Sequence, residues 1–228
     1  MSFQRFYEVW LEQLHALINQ LLNQLPQAPT TEEERNHQQL HQLVQKTLSH
    51  YAEFHRVKSL VAKQDILSVF SAPWATTLER SLHWIAGWRP TTAFHLIYTE
   101  ASIRFESQLV DILRGLSNGD LGDLSPAQFR RVSELQCETV RKENAITDEL
   151  SQWQDGASDF LGMLRDADHK KMELLVRVVE KADHLRQETI ETLVELLTLR
   201  QAAEFLIAAA HLEFGVRGWG VTYDRQRL

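Results

Sequence analysis

The stretch SAPWATTLERSLHWIAGWRP, Ser71 to Pro90, holds three of the six tryptophans, Trp74, Trp84 and Trp88, within fifteen residues. Its punctuation predicts a short helix between two turns. Pro73 stops whatever precedes it. Thr76 followed by Glu79 has capping-box spacing, so a helix is expected to start there and run through Ile85. Gly87 is expected to end it, and Arg89-Pro90 turns the chain again. The three indoles admit three uses. A stacking platform for nucleic acid needs surrounding cations, and this stretch offers only Arg80 and Arg89 against Glu79. A ligand cage and a packed core both suit indoles, which bury large apolar area and carry one polar handle. Leu78, Leu82 and Ile85 favour core. Composition alone does not separate these two.

Outward from this segment the pattern is helical. Tyr7, Trp10, Leu14, Leu17 and Leu21 recur at steps of three and four, which predicts one buried helical stripe. Pro26 and Pro29 are expected to end that helix. Thr30 or Thr31, with Glu32, Glu33 and Glu34 behind it, is expected to cap the next. That second helix holds its period through Leu40, Val44, Leu48, Tyr51, Phe54, Val57 and Val61, with no break expected before about Phe70. Thr91 or Thr92 opens a helix through about Glu100, and 117–124 reads as a loop. Ser125-Pro126-Ala127-Gln128 is a strong helix start. The helix it opens enters a long stretch to about Leu197, which Asp155-Gly156 divides. A last helix, about 199–217, is expected to stop at the glycines Gly218 and Gly220. No stretch alternates as a strand does. The expected fold is all-α, a single bundle-like domain over 1–228 with about seven or eight helices, several of them long.

With 43% hydrophobic residues the chain has ample material for a core. Its net charge of −7, without a basic tract, argues against direct nucleic-acid binding. The single cysteine, Cys137, excludes an internal disulfide and suits a reducing compartment. Mid-helix, it is expected to be buried and inert. The N-terminal apolar run is broken by Arg5, Glu8, Glu12 and Gln13, unlike a signal peptide. No segment approaches the roughly 18 apolar residues that span a bilayer, so no membrane contact is expected and the location is read as nucleus and/or cytoplasm.

Catalytic motifs are missing: no phosphate-binding loop, no nucleophile elbow and no paired-histidine zinc motif occurs. His37 and His41 share a helix face, but no third ligand accompanies them, so a solvated face is expected and no metal. Ala-Asp-His occurs twice, at Asp168-His169 and Asp183-His184. Neighbouring helical side chains point apart, so neither pair forms a ready acid–base dyad. No enzyme activity is expected.

The order of residues carries more than their composition. Pro73, Trp74, Thr76, Glu79, Arg80, Trp84, Ile85, Gly87, Trp88, Arg89 and Pro90 together resemble the central motif of the delay-of-germination domain. That family comprises plant seed-dormancy regulators and the C-terminal half of TGA-type bZIP transcription factors. Phe6-Tyr7 with Trp10-Leu11 resembles its opening helix, with Gln13 two residues after Leu11. Ala182, Asp183, Leu185, Arg186 and Thr189 resemble its late helix, followed by Gln201-Ala202-Ala203 and a closing Trp219-Gly220. The resemblance implies that these residues, Trp219 included, are a structural signature rather than an active site.

It also implies a mode of action. The dormancy-regulator branch acts in abscisic acid signalling by binding and suppressing type 2C protein phosphatases, with the first helix in the contact. Phe6, Tyr7 and Trp10 match its aromatic positions, while Arg5 stands where an acidic residue is expected. TGA factors carry a basic leucine zipper ahead of the domain, and the domain here starts at residue 3. The chain therefore resembles the stand-alone branch. Haem binding in that branch uses two histidines four apart in the last helix. The matching positions here are Glu213 and Arg217, with His211 two residues away, so no such haem is expected. Two alternatives remain open: a transcription co-regulator pairing with TGA-type bZIP factors, and a sensor of a lipid or tetrapyrrole. A homodimer also stays open.

Overall fold

The computed structural model describes residues 2–25, 33–113, 119–156 and 168–227. Among them are eight α-helices and no strand: α1 (Phe3–Gln24), α2 (Glu33–Ala62), α3 (Ile66–Ser71), α4 (Thr77–Leu82), α5 (Thr92–Leu113), α6 (Pro126–Asp155), α7 (Asp168–Leu196) and α8 (Leu199–Arg225). A 3-10 turn, Leu121–Asp123, precedes α6. The all-α expectation holds. The expected helix end at Pro26 and Pro29, and the cap at Thr30 or Thr31 with Glu32, lie outside the described residues.

Periodicity explains the long helices. In α1, Tyr7, Trp10, Leu11, Leu14, Leu17, Ile18 and Leu21 are buried, a stripe wide enough to seat the helix on its neighbours. It packs on α2, whose Leu40, Val44, Leu48 and Tyr51 face it, and on α8. In α7 the repeat Leu175, Val178, Ala182, Leu185, Thr189 and Leu193 is buried against α6 and α2. The first half of α8 is buried on all sides, from Gln201 through Ala208 and at Ala210. A helix without a solvent face belongs at the centre, and α8 touches α1, α2, α4, α5 and α7. Two polar side chains in this buried half are fully engaged. Gln201 Oε1 accepts from Gln128 Nε2 at 2.7 Å, and its Nε2 donates to Asp120 O at 3.0 Å. Glu204 Oε2 accepts from the Leu121 amide at 2.9 Å.

Both predicted capping boxes form, at Thr76 with Glu79 and at Ser125 with Gln128. The division at Asp155-Gly156 is also found, where α6 ends. Other local expectations are overturned. The second helix stops at Ala62 rather than near Phe70, because Asp65 caps a new helix by accepting from the Ser68 amide at 3.0 Å. The helix opened by Thr92 continues well past Glu100. Cys137 is exposed rather than buried. The buried face of α6 runs through Val132, Thr139, Glu143 and Ile146, and position 137 falls off that face.

The glycines of the C-terminal segment do not stop α8, which continues to Arg225. Trp219, expected to be structural, lies on the outer face of that extension and is 74% exposed. Packing against α4 holds the extension in helix. The Thr77 amide donates to Asp224 Oδ2 at 3.0 Å. Gly220 is buried against Thr76, and a Cβ placed on it would lie 2.2 Å from Thr76 Oγ1 and 2.7 Å from Thr76 Cβ. Gly220→Ala is therefore expected to destabilise the fold by about 1–3 kcal/mol, since two backbones must part to admit one methyl. Urea unfolding measures it; an unchanged midpoint would show that the approach is looser than described.

Candidate functional site

The Trp-rich stretch becomes a helix only as far as Leu82, not Ile85. Beyond it, Ile85 and Ala86 adopt positive φ, 48° and 57°, a region costly for residues with a Cβ and more so for a β-branched one. The compensation comes from two buried cations. Arg186 donates through Nε to Trp88 O at 2.5 Å and through Nη2 to Ile85 O at 3.0 Å and to Trp84 O. Lys58 Nζ donates to Ala86 O at 2.6 Å. Gly87 is required by this embrace, because a Cβ there would lie 2.9 Å from the Arg186 guanidinium carbon.

Asp183 joins the two cations. Its Oδ1 accepts from Lys58 Nζ at 2.9 Å and from Arg186 Nη1 at 2.5 Å. All three side chains are buried. Burial opposes ionisation of Asp183, but the adjacent ammonium and guanidinium outweigh it and hold the carboxyl below its usual range. Burial pulls Lys58 down to about 8 despite Asp183 beside it. The remaining signature residues tie the stretch to α6. Arg89 Nε pairs with Glu143 Oε2 at 3.0 Å, and Glu143 Oε1 accepts the Thr91 amide at 2.7 Å. Trp84 Nε1 donates to Thr147 Oγ1 at 3.0 Å, and its ring lies under Arg186 and Arg89.

A second latch fixes α1. Buried Glu79 accepts from Tyr7 Oη at 3.0 Å, from the Thr76 amide at 2.7 Å and from Arg217 Nη1 at 3.3 Å. The Arg217 guanidinium sits 4.9 Å above the Tyr7 ring. One turn on, Trp10 stacks on His50 with ring centres 5.0 Å apart. Its Nε1 donates to His50 O at 2.9 Å, while a ring nitrogen of His50 meets Trp10 O at 2.9 Å. Burial pushes the Tyr7 hydroxyl far above its ordinary range.

Between the two latches lies a cavity of about 150 Å³. Among the predicted residues, Tyr7, Trp10, Trp74, Glu79, Gly87, Trp88, Arg89, Pro90, Asp183 and Arg186 all border it, although they come from three separate parts of the chain. Thr76 acts as a helix cap and Leu185 is core. Pro73 is exposed, and Phe6 is half-buried beside Phe3, ring centres 5.5 Å apart. The tryptophans thus divide: Trp74 is core, Trp84 faces α6, and half-buried Trp88 borders the cavity. Lys58, His55 and His83 were not foreseen. Their signal is present for Lys58, which falls four and seven residues after Phe54 and Tyr51 on the inward face of α2.

The positions matching the family's haem histidines do not suit haem iron. Arg217 is engaged by Glu79 and Tyr7, and a guanidinium is no ligand. Glu213 also borders the cavity, where burial first and the Glu79 carboxylate second push its carboxyl up to about 8. His211 and the pair His37 and His41 are exposed. No group of three His, Cys, Asp or Glu arranged to hold a metal occurs among the described residues.

These groups give stability a pH profile. Burial, as the largest cause, pushes His55 and His83 from the ordinary 6.5 down to about 4. Below 6.5 the unfolded chain therefore binds protons that the folded one refuses, and stability falls with falling pH. Glu213 acts oppositely: folded, it keeps its proton up to about 8, so stability falls as pH rises from the ordinary 4.5 toward 8. In the overlap the two histidines outnumber the one carboxyl, which places the maximum near pH 6.5. Urea midpoints across pH 5 to 8 test this; Glu213→Gln is expected to flatten the alkaline limb and to steepen the acid one.

In this all-helical fold Thr76, Glu79, Trp84, Arg89, Asp183 and Arg186 are spent on contacts within the chain. The sequence profile of the family described as "DOG1: Seed dormancy control" matches residues 17–99. Protein DOG1-like 3 of Arabidopsis thaliana is 26% identical over 225 residues, covering 90% of this chain and 80% of that protein. Protein DOG1-like 4 of the same plant is 27% identical, covering 96% of this chain and 92% of its own length. Transcription factor TGA1, also from Arabidopsis thaliana, is 28% identical over 91% of this chain, which spans 52% of that factor. The family that the Trp74–Pro90 motif resembles is the one these comparisons return, and the proteins this chain is similar to are DOG1-like proteins and a TGA transcription factor. No helix among the described residues is long and apolar enough to cross a membrane.

Proposed function

We propose that this protein is a single-domain, non-enzymatic regulator of abscisic acid signalling that binds type 2C protein phosphatases through α1, in the nucleus and/or the cytoplasm. The observation that carries this reading is the double latch on α1. Tyr7 and Trp10 are 5% and 2% exposed, and each makes a hydrogen bond to a different element. They hold the helix rigid, and its outer face, with Arg5, Glu8, Glu12 and half-buried Phe6, is left to meet a partner. A pre-ordered helix face binds without the ordering cost of a flexible one.

The test is a titration of purified phosphatase with this protein, reading binding and activity together. Saturable binding with loss of activity at micromolar concentration supports the reading. Arg5→Glu, which restores the acidic charge expected at that position, should tighten it. Absence of binding overturns it.

A specific surface favours a second reading, pairing with TGA-type bZIP factors or with a second copy. Leu212, Trp219 and Tyr223 are exposed along the C-terminal half of α8, with Val216 half-buried between them. Trp and Tyr are typical anchors of protein interfaces. On this reading the protein acts at promoters without touching DNA, as its net charge of −7 suits. Trp219→Ala would then abolish co-purification of the bZIP partner and leave any phosphatase binding intact.

A further inference from the structure

Asp183 carries a buried acceptor without a donor. Its Oδ1 takes both cations, while Oδ2 is shielded from solvent and has no hydrogen-bond partner among the described residues. Asp183 is 5% exposed and borders the cavity. Buried carboxylate oxygens are satisfied in nearly all folded proteins, so one left without a donor on a residue that lines a cavity points to what the cavity takes. Lys58 borders the same space and spends two of its three N–H groups, on Ala86 O and Asp183 Oδ1. An acceptor and a donor thus stand side by side at the polar end. Much of the remaining wall is apolar or aromatic, with Phe54, Trp88, Ile190, Phe205 and Leu206.

We propose that this cavity binds a small uncharged molecule with an apolar body and one hydroxyl group, the hydroxyl donating to Asp183 Oδ2 and accepting from Lys58 Nζ. A hydroxyl is the group that does both at one atom. A carboxylate would bring further acceptors to an oxygen that already lacks a donor. An ammonium would add a cation beside Lys58 and Arg186. The size of the body follows from the space: a cavity of about 150 Å³ holds a single aromatic ring. The histidines at the cavity, His55 and His83, are held neutral by burial and add no competing charge. This site stands apart from the α1 surface proposed for protein partners, and neither proposal depends on the other.

The test is a fluorine NMR titration of the full chain with para-fluorobenzyl alcohol, beside para-fluorotoluene and para-fluorobenzoate. The expected result is one saturable site that prefers the alcohol over the toluene by about tenfold, the usual worth of a hydrogen bond to a charged group. Ala209→Phe, which fills the cavity from α8 without touching Asp183, should abolish binding in a protein that still shows its helical circular dichroism. Asp183→Asn should lower the affinity for the alcohol and leave that for the toluene. If that variant does not fold, the ratio of alcohol to toluene on the unaltered protein decides alone. Equal affinity for alcohol and toluene overturns the proposal, because Oδ2 then holds water. Tighter binding of the benzoate overturns it too, as does the absence of any saturable site.

Discussion

Asp183→Ala is expected to lower the unfolding free energy by about 3–5 kcal/mol, because removing one partner of a buried ion pair leaves the other charge uncompensated. Here two charges are stranded, Lys58 and Arg186, at 1% and 6% exposure. The same two cations hold the carbonyls of Trp84, Ile85, Ala86 and Trp88, so the strained positive-φ loop loosens with them. Adding Lys58→Met should recover part of the loss, since one stranded charge disappears. Urea unfolding of the single and double variants measures both steps. A single variant as stable as the unaltered protein would mean that the triad is solvated rather than buried.

Trp10→Ala is the second large effect, at about 3–5 kcal/mol. The indole is 2% exposed and meets the rings of Tyr7, His50, Tyr51 and Phe54. Its loss leaves a cavity and removes the indole's hydrogen bond to the carbonyl of His50. The consequence for partner binding distinguishes two roles. If Trp10 only seats α1, Trp10→Phe should restore most of the stability and the phosphatase affinity together. If stability returns and affinity does not, the indole itself reaches the partner. Chemical unfolding and the phosphatase titration, run on both variants, give the answer.

How far the sequence speaks depends on the range of the forces involved. Caps are local: a Thr or Ser hydroxyl and a Glu or Gln three residues on satisfy amides within one turn. Both boxes were therefore legible and both form. Stripes at steps of three and four are nearly as local, and α1 and α7 bury the residues their periods mark. The end of the helix after Thr76 was not legible. Nothing near Ile85 in sequence demands a left-handed backbone; the demand comes from Arg186, 101 residues from Ile85, and Lys58, 28 residues from Ala86. The glycines near the C-terminus misled for the same reason. They look like a helix stop, yet α4 approaches so closely at Gly220 that the missing Cβ is what lets the helix pass.

The sequence by itself determined that this chain is all-helical, where most of its helices begin, and which family its tryptophan motif resembles. Each of these follows from neighbours within a few residues or from the order of residues along the chain. Only the tertiary structure decided that Tyr7, Trp10, Lys58, Trp88, Asp183 and Glu213 surround one cavity. It also decided that Asp183 is the pivot of a buried triad, and that Trp219 faces solvent instead of the core. Burial, and with it the pKa shifts of His55, His83 and Glu213, is a property of what packs around a residue, and a linear order of side chains does not contain it.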